Sequence, residues 1–321
     1  MTTNYDFLSL YEQRTQKQIT REEYWSSIQE FLRSLTNFKN LLELFDNKIQ
    51  LNGNRIIMDL QISKSHKRRI KMVLDHNDIR SVPFSVLSEG FYESFQADVL
   101  IELGKHSTQF LDIGANAGFY SLAICIENEL LKVISFEPQP RVFEIFNENI
   151  SLNKLANRID SRNIALGHEK DTLTMYVPKF TGTGGASFRD LHSEEGIAEQ
   201  ITVPVDVLDF QVSEKSGGGV YLMKIDCEGS ELNVILGADS LLKDSKPTIM
   251  VELLRKWMKP FGHSPQMFLD HMFGHGYKCL AISDSYLFEI TSITEQTIET
   301  NFIFVHLTNK NHQLLLNRFL K

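Results

Sequence analysis

The pattern of apolar and polar positions changes character part-way along the chain. Between residues 20 and 45, Tyr24, Trp25, Ile28, Phe31, Leu32 and Leu35 recur at three- and four-residue spacing, which predicts an amphipathic helix with a packing face. Thr20, followed three residues later by Glu23, is the capping-box signature for its start. KIQLNGNRIIMDLQI then reads as two strands around Asn52-Gly53, a dipeptide suited to a tight hairpin turn. Lys64, Lys67, Arg68, Arg69 and Lys71 follow. Such a run is a solvated edge or, alternatively, a site for an anionic acceptor.

From residue 108 the pattern becomes regular. The apolar runs FLDI, KVISF, DSRNIAL, VYLMKID and TIMVELL are separated by segments of helical period or by loops. Short buried strands with crossover helices predict a parallel sheet, and right-handed crossovers make it doubly wound. YKCLAIS, YLFEI and FIFVHL have no long helix between them and predict an antiparallel edge. The expected fold class is therefore α/β: a Rossmann-like, doubly wound, mostly parallel sheet with an antiparallel C-terminal edge. A helical and β-hairpin extension, residues 1–85, precedes the sheet domain, residues 86–321. The extension is expected to cap the acceptor side or to carry contacts of a homodimer.

Composition narrows the class. The chain has 321 residues, 42% hydrophobic and 23% charged, which is the usage of a packed globular protein. Its net charge is −8, with the acidity concentrated after residue 95, so no nucleic-acid partner is expected. No apolar run reaches the roughly 18–20 residues of a membrane helix. The start lacks a cationic segment followed by an apolar core, so no leader is predicted. Cys125, Cys227 and Cys279 are scattered and suggest no disulfide framework, which favours a cytoplasmic location. The histidines show no zinc-type spacing with them, and no metal site is predicted.

The strongest local signal is FLDIGANAGFY, an apolar strand ending in Asp112 and a turn in which Gly114 and Gly118 lead into a helix. Open α/β sheets bind ligands at this end of their strands. A carboxylate here would repel a pyrophosphate and attract a cationic amino acid. S-adenosylmethionine carries an ammonium and a sulfonium and has no phosphate. Asn116 takes the place of the middle glycine of a dinucleotide loop and would crowd a pyrophosphate. Glu137, followed by Pro138, ends the next strand and could accept both hydroxyls of a ribose, a device that nicotinamide enzymes share. After the third strand, Asn163 and backbone groups near Ala165 could meet an adenine; an ordinary polar strand end reads equally well.

Taken in order, these residues resemble the FkbM family of class I S-adenosylmethionine-dependent O-methyltransferases. GFYE at residues 90–93 resembles the family's G-x-Y-E element, FLDIGANAGFYSL its first motif, ISFEP its second and NIALG its third. LMKIDCEGSELNVILGA resembles the K-I-D-x-E-G-x-E signature, and IMVEL the fifth strand. Val207 stands where the family more often has threonine, and Phe188 where a small-residue loop ends in leucine. The resemblance covers about residues 85–305. It implies a cofactor site built from Asp112, Gly114, Asn116, Gly118, Phe119, Glu137, Pro138, Asn163, Ala165 and Asp226. It also implies methyl transfer to a hydroxyl of a small molecule, sugar, glycan or secondary metabolite.

The transfer is an in-line displacement that needs alignment, exclusion of water and a base for the acceptor's proton. Lys224, Asp226 and Glu228 recur at every second residue, which on an extended strand would place all three on one face. Three buried charges are costly unless used or paired, so a plain ion-pair network is the alternative. Asp226 is expected beside cofactor and acceptor, with Glu228 or Glu252 as the alternative base and Lys224 orienting a carboxylate. TGTGGASF at residues 181–188 lacks the Lys-Ser/Thr ending of a phosphate loop and reads as a lid or an exposed turn. His263 could be a second base or a surface residue. Two other functions stay open on the residues alone: a nicotinamide-dependent oxidoreductase, and a non-catalytic S-adenosylmethionine-binding module whose working part is the N-terminal extension.

Overall fold

The structure is a computed structural model. It describes residues 48–53, 55–75, 78, 80–178, 185–191, 198–212 and 221–321, with isolated positions before residue 48. The chain divides into two units, Met1–Ile49 and Gln50–Lys321. In the first, Glu23 Oε2 accepts from Thr20 N at 2.7 Å and Thr20 Oγ1 accepts from Glu23 N at 3.2 Å, the reciprocal geometry of a capping box. The helix expected over residues 21–45 lies outside the described residues, Glu23 apart.

The second unit is built on an eight-stranded sheet. Strands β1 (Lys48–Asn52), β2 (Arg55–Gln61) and β3 (Arg69–Leu74) form a separate small sheet in the order β1-β2-β3, and α1 (Val82–Glu89) and α2 (Ser94–Gly104) follow. Then come β4 (Gln109–Ile113), α3 (Phe119–Glu127), β5 (Lys132–Phe136), α4 (Pro140–Leu152) and β6 (Ile159–Arg162). Next are β7 (Ala165–Gly167), β8 (Asp171–Val177), β9 (Glu199–Val207), α5 (Leu208–Gln211) and β10 (Tyr221–Ile225). The rest is α6 (Glu231–Leu236), α7 (Asp239–Asp244), β11 (Thr248–Glu252), α8 (Arg255–Met258), α9 (Pro265–Gly274), β12 (Tyr277–Ile282), β13 (Leu287–Ile290), β14 (Asn301–His306) and α10 (Lys310–Leu316).

In the large sheet the order is β13-β12-β14-β11-β10-β4-β5-β6. The run from β6 to β11 is parallel, and β14 inserts antiparallel between β11 and β12. The antiparallel C-terminal edge is thus present. β10, buried along its whole length, is apolar without alternation, Lys224 apart, because helices cover both faces. No described helix is long and apolar enough to cross a membrane.

Two elements depart from the sequence reading. DSRNIAL is not one strand. β6 ends at Arg162, and β7 belongs to a second three-stranded sheet, β7-β9-β8. The chain leaves the main sheet there because the Asn163 amide donates to the backbone oxygens of Glu137 and Pro138 (2.8 and 3.0 Å), across the end of β5. The basic run, for its part, is divided. Lys64 and Lys67 lie between β2 and β3, whereas Arg69 is on β3, with its Nε 2.6 Å from Asp59 Oδ1, and Arg68 Nη1 donates to the backbone oxygen of Ile126 (2.8 Å).

The edge of β3 is completed by two asparagines, Asn149 of α4 and Asn153, which caps that helix. Asn153 bonds both backbone groups of Lys71 (2.9 and 2.7 Å). Asn149, fully buried, accepts from Val73 N at 2.8 Å and donates to Ala117 O at 2.9 Å, so one amide joins the small sheet, α4 and the turn after β4. An edge strand's backbone groups need partners, and these side chains provide them. Asn149→Ala orphans two buried groups and should lower unfolding stability by about 2–4 kcal/mol, read from urea denaturation at unchanged slope. A loss below about 0.5 kcal/mol would show that the amide is dispensable.

Candidate active site

The carboxyl ends of β4, β5, β10 and β11 meet around a cavity of about 290 Å³. Backbone contact builds its floor. Gly114 N and Ala115 N both donate to Phe136 O (3.0 Å each), and Asp226 N donates to Ile113 O (3.0 Å), so three strand ends are locked together. Gly114 has φ +77°, and a Cβ there would lie 1.8 Å from the Asp226 carbonyl oxygen. Only glycine fits where these two strand ends touch.

Glu137 faces the cavity at the end of β5 with Pro138 beside it. Its Oε2 accepts from Asn116 N (2.9 Å) and its Oε1 from Gln139 N (2.8 Å). Burial pushes its carboxyl up to about 7 against these backbone donors. Each oxygen has one backbone donor and keeps further acceptor capacity. Asn116 also lines the wall, in left-handed conformation (φ +49°), with its own Oδ1 accepting from Ala117 N. Ile164, Ala165 and Leu166 continue the wall from the break after β6.

Four residues expected at the cofactor lie behind the wall instead. Asp112 is 2% exposed. Its Oδ2 accepts from Ser121 N (3.1 Å) and from the Ser121 hydroxyl, so it fastens the first turn of α3 to the sheet. Burial raises its carboxyl, opposed by Lys224. It sits opposite Lys224 in the β4–β10 register. Gly118 (φ +87°) caps α3, and a Cβ there would meet the Phe146 ring at 2.1 Å. Phe119 packs edge-on against Tyr92 (5.2 Å), and Asn163 braces the backbone after β5.

Lys224, Asp226 and Glu228 do not share a strand face. β10 stops at Ile225, and the chain turns through Glu228 (φ +50°) and Gly229 (φ +103°). Glu231 Oε1 holds this turn by accepting from Cys227 N (3.1 Å) and Gly229 N (2.9 Å), and burial pushes its carboxyl up to about 7. Ser187 Oγ donates to Glu228 O (2.8 Å), tying the segment at 185–188 to the turn. The rest of the glycine-rich segment, residues 181–184, lies outside the described residues.

The charges nevertheless converge. Asp226, Glu228 and Glu252 all line the cavity. Lys224 is buried behind them, donates to Asp226 Oδ2 at 2.7 Å and stands 4.9 Å over the Tyr120 ring. Burial disfavours its ammonium, yet the carboxylates of Asp226, Glu93 and Asp112 more than offset this and raise its proton affinity. Burial first, and then the charge of Asp226, drive the carboxyls of Glu228 and Glu252 well above the ordinary range. His263 lies off the wall, stacked on Phe261 (6.1 Å). Sequence reasoning assigned no role to Tyr92, Glu93, Leu254 or Trp257, all on the wall. The only sequence signal was the G-x-Y-E element carrying the first two.

Comparison with known proteins identifies the family. Residues 112–279, just over half of the chain, match the Methyltransferase FkbM domain. The chain belongs to the FkbM methyltransferase family. It is 26% identical over 158 residues to Methyltransferase 1 of Beauveria bassiana, an alignment spanning 44% of this chain and 63% of that protein. It is 26% identical over 182 residues to Methyltransferase sdnD of Sordaria araneosa, covering 49% and 69%. Among solved structures, the FkbM methyltransferase of Methylobacillus flagellatus superposes with a TM-score of 0.38 at 16% identity, over 62% of this chain and 44% of that one.

The FkbM domain is an S-adenosylmethionine-dependent methyltransferase domain. The residues present suit that cofactor. Along β4 and β5 the wall offers Gly114, Asn116, Glu137 and Pro138, with Glu137 a buried acceptor for ribose hydroxyls.

The raised carboxyls link this site to stability. The folded chain keeps protons on Glu137 and Glu231 up to about pH 7, whereas an unfolded glutamate releases them near 4.5. Stability from these groups is full below 4.5 and is lost as pH rises through 7. Glu231→Gln keeps an acceptor for the turn and removes one titration. Urea midpoints measured from pH 5 to pH 8 should fall for the wild type and fall less steeply for Glu231→Gln. Parallel slopes would refute the assignment.

Proposed function

We propose that the chain transfers the methyl group of S-adenosylmethionine to a hydroxyl oxygen of a small molecule or glycan, most simply a sugar or secondary-metabolite hydroxyl. The observation that carries this reading is the convergence of Asp226, Glu228 and Glu252 on one wall, with a single buried cation, Lys224, bound to the first.

The cofactor, when bound, supplies an electrophilic methyl group on a sulfonium. Everything else falls to the chain. Glu137 would accept the ribose hydroxyls, and the segment around Ala165 would face the adenine. Lys224 holds Asp226 in one orientation through their hydrogen bond, which makes Asp226 a positioning group. Glu252, held on rigid β11 with a raised proton affinity, is better matched to receive the acceptor's proton as the new C–O bond forms. An alcohol sheds that proton during bond formation, whereas an amine can shed it afterwards, so a strong carboxylate base favours oxygen. Met175, Phe188, Leu254 and Trp257 give the wall the apolar surface that keeps water away. Arg80 and Val82, the part of residues 1–85 on the wall, support a role of that extension in acceptor choice.

Stabilisation against heat by S-adenosylmethionine and not by NADH, together with formation of the demethylated nucleoside product, tests the reaction. Glu252→Gln should lower turnover at least 100-fold, about 2.7 kcal/mol, while cofactor affinity stays within about threefold. In the wild type kcat/KM should climb with pH, because the base must lose its proton. The inflection in kcat should lie at lower pH, because a neighbouring sulfonium favours the carboxylate. A Glu252→Gln variant retaining more than a tenth of the activity would remove Glu252 from the mechanism.

A further inference from the structure

We infer that Glu93 is the carboxylate that receives the ammonium group of the cofactor's methionine end, the role that the sequence suggested for Asp112. The inference rests on the S-adenosylmethionine reading above and adds a residue to it. Asp112 is sealed behind the wall on Ser121, so another anion must serve. Glu93 lines the cavity. It precedes the first turn of α2 in a left-handed conformation, φ +40° and ψ +48°. A non-glycine residue adopts that conformation at a cost and keeps it only where its surroundings hold it.

Those surroundings are specific. Glu93 Oε2 accepts from the Tyr120 hydroxyl, and Tyr92, its neighbour in the chain, lines the same wall. Lys224, over the Tyr120 ring, faces it electrostatically but gives its hydrogen bond to Asp226. A phenol donor orients a carboxylate without neutralising it. A carboxylate can accept about four hydrogen bonds, so acceptor positions remain for a ligand. Burial, offset in part by Lys224 and the tyrosines, raises the Glu93 carboxyl, as expected for an anion whose full partner is a ligand. Glu137 stands at the β5 end of the wall and Glu93 on the β10 side, with Gly114 of the β4 end also lining it. A nucleoside with its ribose on Glu137 therefore has one further carboxylate, outside the proposed transfer group, available for its amino-acid tail.

The test is calorimetric binding of three probes to the full chain: S-adenosylmethionine, S-adenosylhomocysteine and 5′-methylthioadenosine, which lacks the amino-acid portion. Glu93→Gln should weaken the first two at least tenfold and leave methylthioadenosine within twofold. Tyr120→Phe keeps the carboxylate and loses one of its anchors. It should weaken the first two about three- to tenfold, again sparing methylthioadenosine, and it decides the matter if Glu93→Gln does not fold. Unchanged affinity for S-adenosylmethionine, or equal weakening of all three probes, overturns the assignment. A wild-type chain that binds none of the three overturns the cofactor reading itself.

Discussion

A single buried ammonium makes this site possible. Lys224 lies under the ends of β4 and β10, bound to Asp226 and surrounded by the carboxylates of Asp112 and Glu93. Acids gathered at a buried strand end repel one another and lose their hydration, and each such charge costs several kcal/mol unless it is compensated. Lys224 is the shared compensation, and its position over the Tyr120 ring adds the attraction of an aromatic face. Lys224, even with Arg80 facing Glu228 across the wall, does not satisfy them all. Glu228 and Glu252 carry the remainder as raised proton affinities, and so the strain of burial appears where the proposed reaction needs a base.

The backbone around this group is as constrained as the charges. The contact between Gly114 and the Asp226 carbonyl sets the distance between the half of the wall that holds Glu137 and the half that holds the acids. Glu231 then fixes the turn after β10 through two backbone donors, and Ser187 ties a segment of the second sheet's loop to the same turn. Little in this arrangement depends on long flexible side chains, which suits a reaction governed by alignment.

What could be read from the sequence was local and covalent. An apolar strand followed by glycines, or by Glu137 and Pro138, announces a strand end whatever the rest of the chain does, and both ends lie on the cavity. The β10 end was legible as composition but misread as geometry. Alternation assumes that the strand continues, and Gly229, with the left-handed Glu228 before it, marks where it stops. Asp112 failed for a related reason. Periodicity says which side chains share a face of the sheet, and pairing it with Lys224 shows that this face is covered by α3 and not open. Asn163, expected at an adenine or as an ordinary polar strand end, gives its amide to the backbone after β5. Glu93 could not be found from spacing at all. It reaches the cavity because α2 runs into β4, a topological fact that no short window contains.

The charge of the wall also bears on turnover in the proposed reaction. Among the described residues, Glu93, Glu137, Asp226, Glu228 and Glu252 line the cavity against Arg80 as the one basic side chain there, with Lys224 behind. In a partly desolvated site a unit charge interacts far more strongly than in water. Such a wall holds a sulfonium-bearing donor more firmly than the uncharged thioether left once the methyl group has moved. Methyl transfer then removes one positive charge from the cavity at the moment the acceptor's proton reaches a carboxylate and removes one negative charge. The two changes cancel, and the site ends the reaction no more strained than it began, with its grip on the nucleoside product loosened.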